Sequence, residues 1–238
     1  MTRLACESGK DVYVEAPVSR TIAEAREMIE TVNQTGRVVQ SGLQQRSGSH
    51  YLEAIGFVRD GGLGRVRMAR AWTVHRGKPI GVQSDAALPP RVDYQQWLGP
   101  APSRPFNPNR FHQNWRWFWD FGTSILGDFG CHYMDLPFWA LNLSHPVSAE
   151  AEGPPVHKDS TPPWLVVRYQ FPARVVGGRH WKPLPLSWYH GVKYPDHLLT
   201  PEQHKRWSSG ILFVGSKGQL LSDYGRHVLL PEKDFKDF

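Results

Sequence analysis

The chain has little cysteine: Cys6 and Cys131 are the only two, far apart and in unlike surroundings. Neither belongs to a CxxC pair, which favours a reducing, cytoplasmic setting. No apolar run reaches the roughly 18 to 20 residues that a membrane span requires. The opening MTRLACESGK also lacks the apolar stretch of a secretory signal. A formal charge of +6 would suit a nucleic-acid binder, but Arg and Lys are scattered singly, with no basic stripe and no reading motif. Nucleic acid and membrane are therefore not expected partners. The eleven histidines are dispersed without an HExxH or paired-histidine pattern, so Asp128, His132, His180 and His190 do not read as a metal set. No internal repeat is present.

Proline and tryptophan, by contrast, are plentiful, at twenty and ten residues. Much of the chain should be irregular, with aromatic rings packing long loops against a scaffold. The first sixty residues read as strand, helix, strand, helix. A short apolar strand at 12–14 is followed by a helix that Ser19 or Thr21 is placed to cap, and Thr21 with Glu24 fits a capping box. Ile22, Ala25, Met28, Ile29 and Val32 then recur at helical spacing, and Gly36 ends the helix. A second strand at 38–40 precedes a helix carrying Tyr51, Leu52, Ile55 and Val58, for which Ser49 is a candidate cap. Gly61, Gly62 and Gly64 stop it. This tempo implies parallel strands.

From Val66 the rhythm changes to period two in VRMARAWTVHR, a half-buried strand. Residues 77–114 read as a loop excursion with a short helix near 93–98. An amphipathic helix is expected over 130–142, and strands at 148–152, 164–171, 174–177, 211–215 and 219–222. SKG at 216–218 joins the last two as a hairpin. The second part is α+β and mainly antiparallel. Two parallel strands and their helices are too little for a doubly wound sheet, so the chain is expected to begin partway through a domain; a small α/β layer starting at Met1 and packed directly on the second part is the alternative.

Four segments together resemble the Gfo/Idh/MocA family of NAD(P)-dependent oxidoreductases: DVYVEAPVSRTIAEAREMIE, GRVVQSGLQQRSGSHYLEAIGFVRDGGLG, VRMARAW and GDFGCHYMDLPFWALN. The resemblance implies residues 1–64 as the end of a Rossmann-like dinucleotide-binding domain. Residues 65–238 then form a substrate-binding and oligomerisation α+β domain with a large, mainly antiparallel open sheet. The fold class expected is thus α/β residual units followed by α+β. The chain contains no GxGxxG, since Gly61, Gly62 and Gly64 follow a helix rather than a strand. NAD or NADP is the implied cofactor, with binding weak or absent in this chain alone. The implied partners are a sugar or polyol and further copies of the chain.

The resemblance also assigns roles. The stretch YVEAP matches a family turn that ordinarily reads EKP, where the lysine polarises the substrate hydroxyl; here that position is Ala16, which carries neither charge nor donor. Glu15, Pro17 and Gln45 fall in cofactor-binding positions, Pro17 fixing the backbone where a helix approaches. His132 matches the family base, since an imidazole titrates near neutral pH, and Asp128 is placed to orient or charge-balance it. Without the resemblance, the D-x-x-x-H pair reads equally as a structural hydrogen bond. Arg46, His75 and Trp117 are substrate-binding candidates. For the first two, a solvent-facing turn or strand end is the alternative; for Trp117, with Trp115 and Trp119, it is core packing. The functional expectation is an oxidoreductase-family protein related to sugar and inositol dehydrogenases, truncated and inactive alone. A non-catalytic carbohydrate-binding or subunit-assembly module, and a non-redox lyase or hydrolase using His132, are the alternatives.

Overall fold

The computed structural model describes residues 1–74, 83–176, 178–191, 193–195 and 198–235. The chain opens with α1 (Thr2–Glu7), β1 (Val12–Glu15), α2 (Ile22–Thr35), β2 (Val39–Gly42) and α3 (Ser49–Arg59). Strands β1 and β2 run parallel, Val12 opposite Val39 and Glu15 opposite Gly42. The capping box forms as expected: Thr21 Oγ1 accepts from the Glu24 amide at 3.2 Å, and the Glu24 carboxylate accepts from the Thr21 amide at 3.0 Å. Helix α2 ends at Gly36, whose φ of 63° lies in the left-handed region.

Three local expectations change. Ser49 is the first residue of α3, and Gly48 takes the cap position. Pro17 lies well ahead of α2, which Thr21 caps, so the proline shapes the preceding turn and does not start the helix. The apolar stripe of α2 is not core: Ile22 is 76 % exposed and Ile29 60 %. The parallel layer beneath is only two strands wide and cannot cover that stripe.

Helix α3 packs the other way. Tyr51, Ala54, Ile55 and Val58 join the hydrophobic cluster of the large sheet, so this helix is bound to the part of the chain beyond residue 64. The chain continues with β3 (Met68–Thr73), α4 (Tyr94–Leu98), α5 (Ser124–Gly127), α6 (Phe129–Leu141), β4 (Ser148–Glu152), β5 (Leu165–Phe171), β6 (Arg174–Val176), β7 (Arg179–Trp181), β8 (Leu184–His190), α7 (Pro201–Arg206), β9 (Ser209–Val214), β10 (Gln219–Ser222) and β11 (His227–Leu230). Seven of these strands form one sheet in the order β11-β10-β9-β3-β8-β5-β4. It is antiparallel except where β3 meets β8, so the sheet is mixed. The SKG connection joins β9 to β10 as an antiparallel hairpin. Strand β8 and its proline are the surprise. Pro185 pairs with Gln170 of β5, whereas pairing with β3 begins only at Leu186, so the missing N–H falls outside the doubly paired stretch.

One face of the sheet, with Ala69, Ala71, Leu186, Trp188, Ile211 and Phe213, packs under α3 and α6. Helix α6 is mostly buried, Asp135 included, rather than cleanly amphipathic. On the opposite face Trp72, Val166, Tyr189, Leu212 and Leu221 are covered by Leu199 and Trp207 from the chain's own return excursion. The Trp72 indole donates to the Trp207 carbonyl at 3.1 Å. The apolar cost that would drive subunits together through that face is therefore met within the chain at its centre. Edge strand β4 is exposed along its length, and its Glu152 pairs with Arg168 at 2.7 Å. Among the described residues, no helix is long and apolar enough to cross a membrane.

His190, at the end of β8, is fully buried, and its Nδ1 accepts from the Trp188 indole at 2.9 Å. Burial pushes the imidazole down from 6.5 to about 4, so the folded chain holds it neutral. The unfolded chain takes up the proton first. The stabilisation is complete above about pH 6.5 and is lost as pH falls through 4, a difference of about 3 kcal/mol. Denaturant unfolding between pH 7 and 4 should show this slope, and His190→Gln should remove it.

Candidate active site

Three pieces of chain converge beside the N-terminal end of α6. The first is the turn that leaves β1, residues 15–20. The second is the tryptophan-rich excursion with its 3-10 turn His112–Trp117. The third is the segment 122–132 that enters α6. Together they enclose a cavity of about 670 Å³ lined by Glu15, Ala16, Pro17, Arg20, Trp115, Arg116, Ser124, Asp128 and His132, among others. That is the size range of small-molecule sites.

The residues singled out in the sequence divide sharply here. Asp128, His132, Glu15, Ala16 and Pro17 all line this one cavity. Asp128 precedes α6 with φ −81° and ψ −82°, outside helical geometry, so the two side chains meet at the cavity rather than along one helical face. No hydrogen bond joins them, and His132 Nδ1 is buried with no partner. On its inner side the imidazole sits edge-on to Tyr224, with ring centroids 6.2 Å apart, and Tyr224 stacks on Tyr133 at 4.5 Å. Burial raises the Tyr224 phenol, so this floor stays uncharged. Glu15 leans over Gly42: a Cβ there would lie 2.6 Å from the Glu15 carboxylate, so a larger residue opposite it would push that side chain aside.

Arg46 lines a second cavity, of about 610 Å³, on the far side of residues 16–19. Its guanidinium donates from Nε to Asp135 at 2.8 Å and from Nη2 to the other carboxylate oxygen at 2.6 Å, and it lies 4.9 Å from the Trp139 ring centroid. This forked pair ties the Gln44–Ser47 turn to α6. Gln45 lines neither cavity. Trp117 packs against the main core, and its carbonyl accepts from the Thr161 amide at 2.8 Å; Trp115 is the tryptophan of this run that faces the cavity. His75 lies outside the described residues.

Two features were missed in the sequence. Ser124 is buried with φ 68°, strained for a residue with a Cβ, and its hydroxyl has no partner. The other is Arg116, whose neighbourhood carries no motif. A further hollow of about 410 Å³ adjoins the site, sharing Arg20, Glu24, Trp115 and Phe121 with it.

Residues 72–176 match the model of the oxidoreductase family, C-terminal alpha/beta domain, of Gfo/Idh/MocA type. Over these residues the chain is similar to the C-terminal domain of that oxidoreductase family. An NAD binding oxidoreductase from Klebsiella pneumoniae has a similar fold, with a TM-score of 0.59 at 16 % identity over 94 % of this chain and 50 % of that one. An inositol dehydrogenase homolog from Azotobacter vinelandii, complexed with NADH and myo-inositol, gives 0.56 at 20 % identity over 92 % and 46 %. The WlbA dehydrogenase from Bordetella pertussis, in complex with NADH and UDP-GlcNAcA, gives 0.57 at 16 % identity over 92 % and 50 %. These likenesses establish the fold. The chain spans about half the length of the solved structures it matches. No curated protein matches it.

A dinucleotide needs a glycine-rich strand-to-helix turn whose amides cradle the pyrophosphate. The turn after β1 reads APVSRT, with no glycine, and that after β2 reads LQQRSG, with Gly48 alone. Among the described residues, neither turn of the parallel layer fits a pyrophosphate.

The Arg46–Asp135 pair should be worth keeping. Asp135→Ala removes both hydrogen bonds from a carboxylate that is only 9 % exposed, whereas the half-exposed arginine can rehydrate. The expected cost is about 1 to 2 kcal/mol, a fall of about 2 to 8 °C in melting temperature by calorimetry.

Proposed function

We propose that the chain is the substrate-binding half of a sugar or polyol oxidoreductase and that its cavity binds the carbohydrate. The observation that carries this is the convergence of Asp128, His132 and the 15–20 turn on one hollow of ligand size. Trp115 offers a ring face, which suits the apolar face of a pyranose or inositol. The acidic and basic side chains present hydroxyl-binding groups without a single dominant sign. His132 is the proton acceptor: its buried, unpartnered Nδ1 marks a ring held by packing, and its edge in the cavity receives the proton of a bound hydroxyl. Asp128 supplies charge balance across the cavity rather than a direct hydrogen bond. Ala16, on the same wall, adds no donor.

Calorimetric or tryptophan-fluorescence titration of the full chain with a panel of neutral sugars and inositols tests this. At least one should bind with a Kd below about 1 mM, and His132→Ala should weaken it severalfold. No saturable binding by any member of the panel would refute the reading. NADH titrated separately should bind more weakly than about 100 µM, because neither turn holds its pyrophosphate. A low-micromolar value would reveal a phosphate site elsewhere.

A further inference from the structure

We infer that Arg116 supplies the cation this site lacks at position 16, and that it acts on the substrate oxygen that loses its proton to His132. The inference rests on the carbohydrate-binding reading and gives that cavity a specific preference for a negatively charged oxygen.

The cavity contains two arginines, and they differ. Arg20 is committed to the protein: it donates to the Asp120 carbonyl at 2.6 Å and to the Trp119 carbonyl at 3.4 Å. Glu24 is likewise committed, its carboxylate accepting from the amides of Arg20 and Thr21. Arg116 has no such partner. It makes no ion pair and no side-chain hydrogen bond among the described residues, its Nε is buried without an acceptor, and its one contact of note is the Trp115 ring, 5.4 Å away. Only its Nε is buried, and as Arg116 lines the hollow that also holds His132, an acceptor bound there can engage donors that the protein leaves to water.

The backbone holds the arginine in place. A Cβ on Gly122 would lie 2.3 Å from the Arg116 carbonyl oxygen and 2.5 Å from its Cα, so glycine at 122 is what allows the His112–Trp117 turn to close onto the cavity rim. The resulting position suits a fixed charge. A guanidinium does not release its proton in a protein, so Arg116 cannot be the acid or base. It offers charge-assisted N–H donors to an oxygen on which charge develops, and its parallel fork matches the two oxygens of a carboxylate. In that step the O–H bond of the bound alcohol breaks, its proton moves to His132, and the oxygen keeps the electron pair under the guanidinium.

A carboxylate imitates that charged oxygen without any chemistry, and this gives a binding test. The full chain is titrated with a polyol and with the aldonate of the same carbon number. The aldonate should bind about tenfold or more tightly than the polyol. Arg116→Met should abolish this preference, while Arg116→Lys should retain part of it. Ala16→Lys added to Arg116→Met should restore the preference, because residue 16 lines the same cavity; this also guards against a variant that merely misfolds. Polyol binding with no preference for the aldonate, or a preference that survives Arg116→Met, overturns the assignment to Arg116 and leaves the carbohydrate site standing. Failure of both ligands to bind overturns both.

Discussion

Helix α6 is held between α3 and the seven-stranded sheet, with Leu136, Ala140 and Leu141 fully buried, and the position of every candidate site residue is referred to it. Burial of that kind contributes roughly 1.5 to 3 kcal/mol per large side chain, so the helix cannot shift without disturbing the core. Its first turn carries His132 at the cavity, and its next turn carries Asp135, which grips Arg46. The same rigid element thus fixes a titratable ring and anchors the neighbouring layer. Pro137 inside the helix is tolerated within this packing.

The wall opposite is built differently. The turn 15–20 hangs from a parallel pair whose strands, among the described residues, pair with each other alone, and α2 above it leaves Ile22 and Ile29 in solvent. Two strands with so little burial are marginal on their own. What seats this wall is a small number of polar ties: Arg46 to Asp135, and Arg20 to the carbonyls of Trp119 and Asp120. The site therefore has one face set by core packing and one set by directional hydrogen bonds, which are individually worth about 1 kcal/mol.

Local chemistry was legible in the sequence and tertiary placement was not. The Thr21–Glu24 capping box, the short helix at 94–98 and the SKG hairpin depend on neighbours a few residues apart, and each formed as expected. Strand β8 is hidden by Pro185, and β7, β11 and α7 by shortness, because none carries enough periodicity to rise above its surroundings. The α2 stripe marks a helix face in the sequence, but its exposure depends on how many strands lie beneath it, which local spacing does not encode. Asp128, His132 and Ala16 were found through resemblance rather than pattern. Trp115 and Trp117 are alike in sequence, and only the fold sends one to the cavity and the other to the core.

Arg116 is the extreme case of that limit, and its physics explains why. An arginine's function here lies in what it does not touch, and no spacing rule encodes an unspent donor. Arg20 and Arg46 look equally available in the sequence, yet the fold engages both in ties that seat the softer wall, Arg46 through Nε and Nη2 and Arg20 through Nη1. A charge employed to hold the site together is lost to the ligand, because a donor already satisfied gains little by exchanging partners. The tryptophan-rich excursion resolves this conflict by bringing a further arginine from a segment anchored elsewhere, through Trp117 to the core and through Arg104 to Asp120 and Asp159. Structural and ligand-facing charges are thereby separated onto different elements, and the wall that carries Ala16 needs no cation of its own.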